Sequence, residues 1–190
     1  INPQQGNSVE NQAKSDGNGG KGLTEQNEYD IIYKKVLKTT FEVRTMSKQK
    51  VALLIDSGCD LEASYCKKHS IYVLPFTIGY EGEERLDGVM DPLEVYRRFP
   101  AEIPKTSTPS FQAVEDMVQR IIADGYESIV AIDVSHKLSS TISTVSIVLS
   151  EHPEIPSFVL DTNNISIGAG LVAMWAAEKI KEGMEFEELT

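Results

Sequence analysis

Cysteine, histidine and clustered cations are all scarce in this 190-residue chain, and each scarcity removes a class of function. The two cysteines, Cys59 and Cys66, are too few for a disulfide framework and read as reduced cytosolic thiols. They lie on one predicted helix, where a metal site would need ligands beyond His69, so no metal is expected. With only three histidines, a catalytic serine has few bases to choose from. His136 stands near a serine-rich segment, but no G-x-S-x-G elbow accompanies it. Lys and Arg number 18 against 29 Asp and Glu, for a net charge of −11. Residues 1–45 hold six basic and six acidic side chains, so the excess lies between Met46 and Thr190. A body this acidic lacks the Lys and Arg clusters that displace counterions from nucleic acid. An anionic membrane leaflet would repel it as well. No apolar run approaches the roughly 18 residues of a spanning helix, and no signal-peptide apolar region opens the chain, so a cytoplasmic location is expected. Gly58 and Gly168-Ala169-Gly170 match neither a dinucleotide-binding nor a P-loop pattern.

Residues 1 to about 28 are rich in Asn, Gln, Gly and Ser and cannot bury a core. Met46-Ser47-Lys48-Gln49-Lys50, just ahead of the first clear strand, looks like an ordinary protein start. Residues 1–45 are therefore expected to be a disordered extension or upstream segment, and residues 46–190 an α/β domain. From Lys50 onward, strand-like and helix-like stretches alternate. Val51–Ile55, Ile71–Ile78, Ser128–Val134 and Ser157–Leu160 read as strands. Asp60–His69, a stretch opened by Asp91-Pro92, Phe111–Ala123, Ile142–Leu149 and Ile165–Lys181 read as helices. Glu81-Gly82-Glu83-Glu84 suggests a hairpin turn. The alternation predicts a doubly wound, mainly parallel sheet with helices on both faces. The closing residues Glu185–Thr190 look like the first turn of a further helix, and the chain is expected to be a fragment.

Three polar segments carry the chemistry: Asp56-Ser57-Gly58-Cys59-Asp60, Pro104-Lys105-Thr106-Ser107-Thr108-Pro109-Ser110, and Ser135-His136-Lys137-Leu138-Ser139-Ser140-Thr141. The first and third follow strands and all lead toward helices, which collects hydroxyls and helix N-termini at one edge of a sheet. Few cations accompany them, so the expected ligand bears one carboxylate and not a polyphosphate. Two readings stand for the hydroxyls. Ser and Thr are preferred helix caps, and they are also donors to an anion. Asp56 and Asp60 make a poor metal cage without further ligands.

Taken together, the residues from about Lys50 to the end resemble the DegV family of bacterial fatty-acid-binding proteins. The matching pieces are Ile55-Asp56-Ser57 with Asp60, Val73-Leu74-Pro75-Phe76, and Leu86-Asp87-Gly88. They continue with Pro104-Lys105-Thr106-Ser107 and Pro109-Ser110, then Leu138-Ser139 with Thr141, and Asp161 followed by Ser166-Ile167-Gly168-Ala169-Gly170. The resemblance implies a non-enzymatic carrier whose two domains enclose one long-chain fatty acid and present its carboxylate to a separate fatty acid kinase. The fatty acid is the ligand, and no other cofactor is implied. By position, Thr106 and Ser139 are the expected carboxylate contacts, Ser107 and Thr141 the next, with Asp56 and Ser57 in support. Two departures stand out. Ser140 occupies a place where the family usually has Gly, and Thr162 one where Ser is common. The second domain, which would supply much of the acyl tunnel, is expected to be missing. Burying about 16 carbons yields on the order of 12 kcal/mol, so the tail should set affinity and the hydroxyls orientation. The alternative from another class is a phosphoryl or acyl transferase using the same hydroxyl cluster, against which the lack of a P-loop, metal cage and credible triad argues.

Overall fold

The computed structural model describes residues 50–190. Strand β1 (Val51–Asp56) is buried along its whole length, as a continuous apolar run in a parallel sheet requires. It runs at the centre with β6 (Ser128–Asp133), flanked by β2 (Tyr72–Leu74) and β7 (Ser157–Asp161) in the order β2-β1-β6-β7. All pairs are parallel, with Ile55 opposite Ile132 and Asp133 opposite Asp161.

Alternate residues of the central strands face opposite layers. Val51, Leu53, Ile55, Val130 and Ile132 pack with Cys59, Cys66, Ala169 and Ala173 on one side. That side is covered by α1 (Ala63–Lys68), α5 (Ile167–Glu182) and α6 (Phe186–Leu189). Ala52, Leu54, Ile129 and Ala131 pack with Val114, Val118, Ile121, Val145 and Val148 on the other. Those last residues belong to α3 (Phe111–Ala123) and α4 (Thr141–Ser150). The expected doubly wound sheet with helices on both faces is what the chain forms.

A second, antiparallel sheet accompanies it, in the order β4-β3-β5. The expected single strand over Ile71–Ile78 is split, because Pro75 cannot donate to a ladder. Tyr72–Leu74 joins the parallel sheet, while β3 (Thr77–Tyr80) pairs with β4 (Glu83–Leu86) across the turn at Gly82. Helix α2 (Pro92–Arg98) starts as expected, with the Asp91 carboxylate accepting the Leu93 N–H at 3.0 Å. Glu94, placed for a capping box, pairs with Arg98 instead.

Other boundaries differ from expectation. Lys105–Ser107 is not a loop but strand β5, with Thr106 opposite Ile78 and Ser107 opposite Thr77. The following helix begins at Phe111 and is capped by Ser110, whose hydroxyl accepts the Ala113 N–H. Asp60 does not start a helix; at φ 53° it ends the tight turn Ser57–Cys59, and α1 begins only at Ala63. Cys59 therefore lies in that turn and Cys66 in α1, both as free buried thiols, not on one helix. Helix α5 opens two residues later than expected, at Ile167. The expected extension over residues 1–45 lies outside the described residues.

Candidate functional site

At the C-terminal ends of β1, β6 and β7 the chain makes three loops, and hydrogen bonds stitch them into one platform. Asp56, the last residue of β1, is fully buried and its carboxylate accepts the Val134 N–H at 3.0 Å. The Ser166 N–H donates to Gly58 O, and the Ser135 N–H to Asn164 O, each at 2.8 Å. Thr162 donates its hydroxyl to Asp133 O at 2.9 Å. Asp161 accepts the N–H groups of His136 and Asn163 through one oxygen, and its other oxygen meets His136 Nδ1. Asp60, Asn163 and Ser166 all have positive φ on this rim, and Ser166, at φ 57° and ψ −143°, sits where only glycine is comfortable.

The third polar segment forms the accessible part of the platform. The N–H groups of Leu138 and Ser139 both return to Ser135 O, which closes a tight turn ahead of α4. Ser139 Oγ lies 2.8 Å from Thr141 Oγ1 and accepts the Thr141 N–H at 3.2 Å. A hydroxyl has two lone pairs and one proton. If Thr141, which is fully buried, donates to Ser139, both lone pairs of the half-buried Ser139 are filled and its proton points outward. Ser140 stands at the helix N-cap with no side-chain bond and φ −84°, a conformation that needs no glycine. The hydroxyl cap is thus supplied by Ser139, and the residue that departs from the family pattern fits its place without strain.

The other expected residues are reached less directly. Ser57 Oγ accepts the Phe76 N–H at 3.0 Å, tying the end of β1 to the entry of the small sheet. Phe76 precedes Thr77, and Thr77 is the partner of Ser107 in β5. Thr106 and Ser107 are exposed on that strand. The structure thus joins Ser139 to Thr141 directly and connects Asp56 and Ser57 to both flanks by backbone bonds. Thr106 and Ser107 join through the β3–β5 pairing alone. A groove of about 990 Å³ opens beside β2, lined by Asp56, Ser57, Leu61, Ile71, Val73 and Tyr126 among others. It touches the supporting pair and none of the four expected contact hydroxyls.

Sequence reasoning named Asp56 and Asp161 but missed Asp133 between them beneath the rim. Asp133 is fully buried, and neither carboxylate oxygen has a hydrogen-bond partner. Burial, reinforced by the charges of Asp56 and Asp161, pushes its pKa up to about 8. Asp56 is raised to about 6 by burial, against the opposing pull of the Val134, Gly58 and Cys59 hydrogen bonds. Asp161 moves the other way, held below the usual carboxylate range chiefly by the Asn163 N–H and then by His136. Burial drives the Cys59 thiol far up, and the charges of Asp56 and Asp133 add to this, so it is no nucleophile. Among the described residues no group of His, Cys, Asp and Glu is placed to hold a metal ion. Asp161 meets His136 Nδ1, the arrangement that orients a catalytic imidazole, but among the described residues no hydrogen bond joins the His136 ring to a serine hydroxyl.

A parallel sheet with helices on both faces and hydroxyl-bearing loops at its strand ends defines the chain as a doubly wound α/β protein. Within it, residues 50–190 match the family model described as "uncharacterised protein, DegV family", and the chain belongs to the DegV family. It is 34% identical over 140 residues to a DegV domain-containing protein of Clostridium acetobutylicum, covering 73% of this chain and 50% of that one. A fatty acid-binding protein of Thermotoga maritima is 30% identical over 148 residues, covering 74% of this chain and 50% of its own length. The solved structure of a fatty-acid-binding DegV family protein from Thermus thermophilus superposes with a TM-score of 0.68 at 25% identity, over 74% of this chain and 51% of that one. The chain spans about half the length of the curated relatives it matches.

Proposed function

We propose that this chain binds one long-chain fatty acid and holds its carboxylate at the platform formed by the ends of β1, β6 and β7. The observation that carries the reading is the Ser139–Thr141 hydroxyl pair at the start of α4, where Ser139 Oγ accepts the Thr141 N–H and lies 2.8 Å from Thr141 Oγ1. Ser139 donates to the carboxylate, Thr141 orients Ser139 from below, and Thr106 and Ser107 approach from β5. Asp56 and Ser57 support the loops that carry them. The fatty-acid-binding relatives reported above support the ligand class. The role is that of a non-enzymatic carrier that presents the carboxylate to a fatty acid kinase, with the site completed by the half of the protein that its relatives carry in addition.

Native mass spectrometry on protein purified without added lipid tests this. The expected result is an adduct of fatty-acid mass that disappears on denaturation. Protein that is free of lipid and takes up no added fatty acid overturns the reading. The division of labour between tail and head predicts the behaviour of Ser139→Ala. It should keep fatty acid affinity to within about tenfold, since one hydrogen bond is worth about 1 kcal/mol, yet impair kinase-dependent phosphorylation far more. Complete loss of binding with the fold intact would count against that division.

A further inference from the structure

The platform that receives the proposed head group carries one side chain of the third polar segment to which the resemblance assigned no role. His136 lies at the tip of the Ser135–Ser139 turn, and its side chain is 55% exposed. Its orientation is over-determined: Asp161 takes the backbone N–H of His136 with one oxygen and meets Nδ1 with the other. Asp161 is itself fixed by the Asn163 N–H at 2.9 Å. With Nδ1–H committed to a carboxylate, the tautomer is set and Nε2 has no hydrogen-bond partner among the described residues. When the ring is protonated, Nε2–H becomes a charged donor on the same turn as the outward Ser139 hydroxyl. An anionic head group on an acidic protein needs such a donor, because Asp56, Asp133 and Asp161 all end strands beneath the rim.

We propose that His136, in its imidazolium form, is a second head-group contact that pairs with the ligand carboxylate beside Ser139, with Asp161 as its positioning residue. This rests on the fatty-acid-binding reading and names a residue and a protonation state within that same site. Pairing a carboxylate with the protonated ring couples binding to proton uptake, so the protein loads more tightly in acid than in alkaline conditions. The groups that bear on the ring are Asp161 from β7, Lys137 beside it, and Asp133 and Asp56 at the ends of β6 and β1. The last two, raised to about 8 and about 6, gain negative charge as pH rises and also weaken anion binding. The pH profile of the unaltered protein is therefore shared, and the histidine's part is the difference between variants.

The test measures palmitate and methyl palmitate affinity from about pH 6 to about pH 8.5 for the 190-residue chain, His136→Gln and His136→Lys. At the acid end, His136→Gln should bind palmitate about tenfold more weakly than the unaltered chain, the loss expected for one charge-assisted hydrogen bond. The two should converge at the alkaline end. His136→Lys should keep the tighter binding throughout, and methyl palmitate should respond to neither substitution. Parallel pH profiles for the unaltered chain and His136→Gln overturn the proposal, as does an equal effect on the ester. No palmitate uptake at any pH, either by this chain or by this chain joined to the second half that its relatives carry, overturns the fatty-acid reading itself, a result distinct from uptake that ignores residue 136.

Discussion

At Asp133 a carboxyl group is enclosed with neither oxygen partnered, and the consequence runs through pH. In the unfolded chain an aspartate loses its proton near its ordinary value of 3.8, whereas in the fold Asp133 keeps it up to about 8. Between those values the folded state holds the extra proton, so stability falls as pH rises through the window. Asp56, at about 6, adds to the fall over the lower part of it. His152, raised by its bonds to Glu115 and Glu154, stabilises at low pH and loses that contribution as pH climbs through its folded value, in the same direction. Glu83, Glu115 and Glu154 are lowered, so their opposing contribution is spent below the ordinary carboxylate range. Thermal melts should therefore show greater stability near pH 5 than near pH 8. Asp133→Asn, which removes the ionisable group at nearly constant volume, should flatten the slope and gain on the order of 2 kcal/mol at about pH 8. Parallel pH slopes for the two proteins would sink this account. None of it was legible in the chain, where Asp133 is one more residue at the end of a buried run. Its isolation depends on lying opposite Asp161, 28 positions on, and strand register is not written locally.

At the level of elements, close approach of α5 to the turn after β1 sets the geometry of the platform. A Cβ on Gly170 would lie 2.5 Å from Cys59 O, a backbone atom that cannot swing aside. A Cβ on Gly168 would meet only the side chain of Asn164, which can turn away. We expect Gly170→Ala to cost roughly 1–3 kcal/mol by forcing helix and turn apart, and Gly168→Ala under about 1 kcal/mol. Denaturant midpoints compare them directly, and equal losses would refute the close-packing argument. The elements themselves were legible where burial is continuous or strictly periodic. Phe111–Ala123 is helical over the expected span, and the strands at Val51 and Ser128 fall within one residue of expectation. The small sheet was not, because β5 is three exposed residues whose pairing with β3 spans a strand, a helix and three connections. The hydroxyls were legible as residue types, but their roles were not. Ser110 and Ser139 act as caps, while Thr106 and Ser107 form an exposed strand.

For the molecule as a whole, the decisive quantity is a charge of −11 carried entirely after residue 45. Under the proposed function, a fatty acid anion approaching such a body is repelled over roughly a Debye length, about 10 Å at 0.1 M salt, before any hydroxyl or imidazolium can act. Net charge was readable from composition, but the charge of the rim itself comes from folding, which sets Asp56, Asp133 and Asp161 side by side at strand ends beneath His136. Long-range and short-range electrostatics thus oppose each other, and they separate by rate. The association rate for palmitate should rise about two- to fivefold between about 20 and 200 mM salt as the repulsion is screened. Dissociation, governed by tail burial and the head-group bonds, should change little over the same range. Stopped-flow measurement of both rates decides the matter. An association rate that instead falls with salt would mean that His136, Lys137 and Lys105 dominate the approach and that the rim steers its ligand against the net charge.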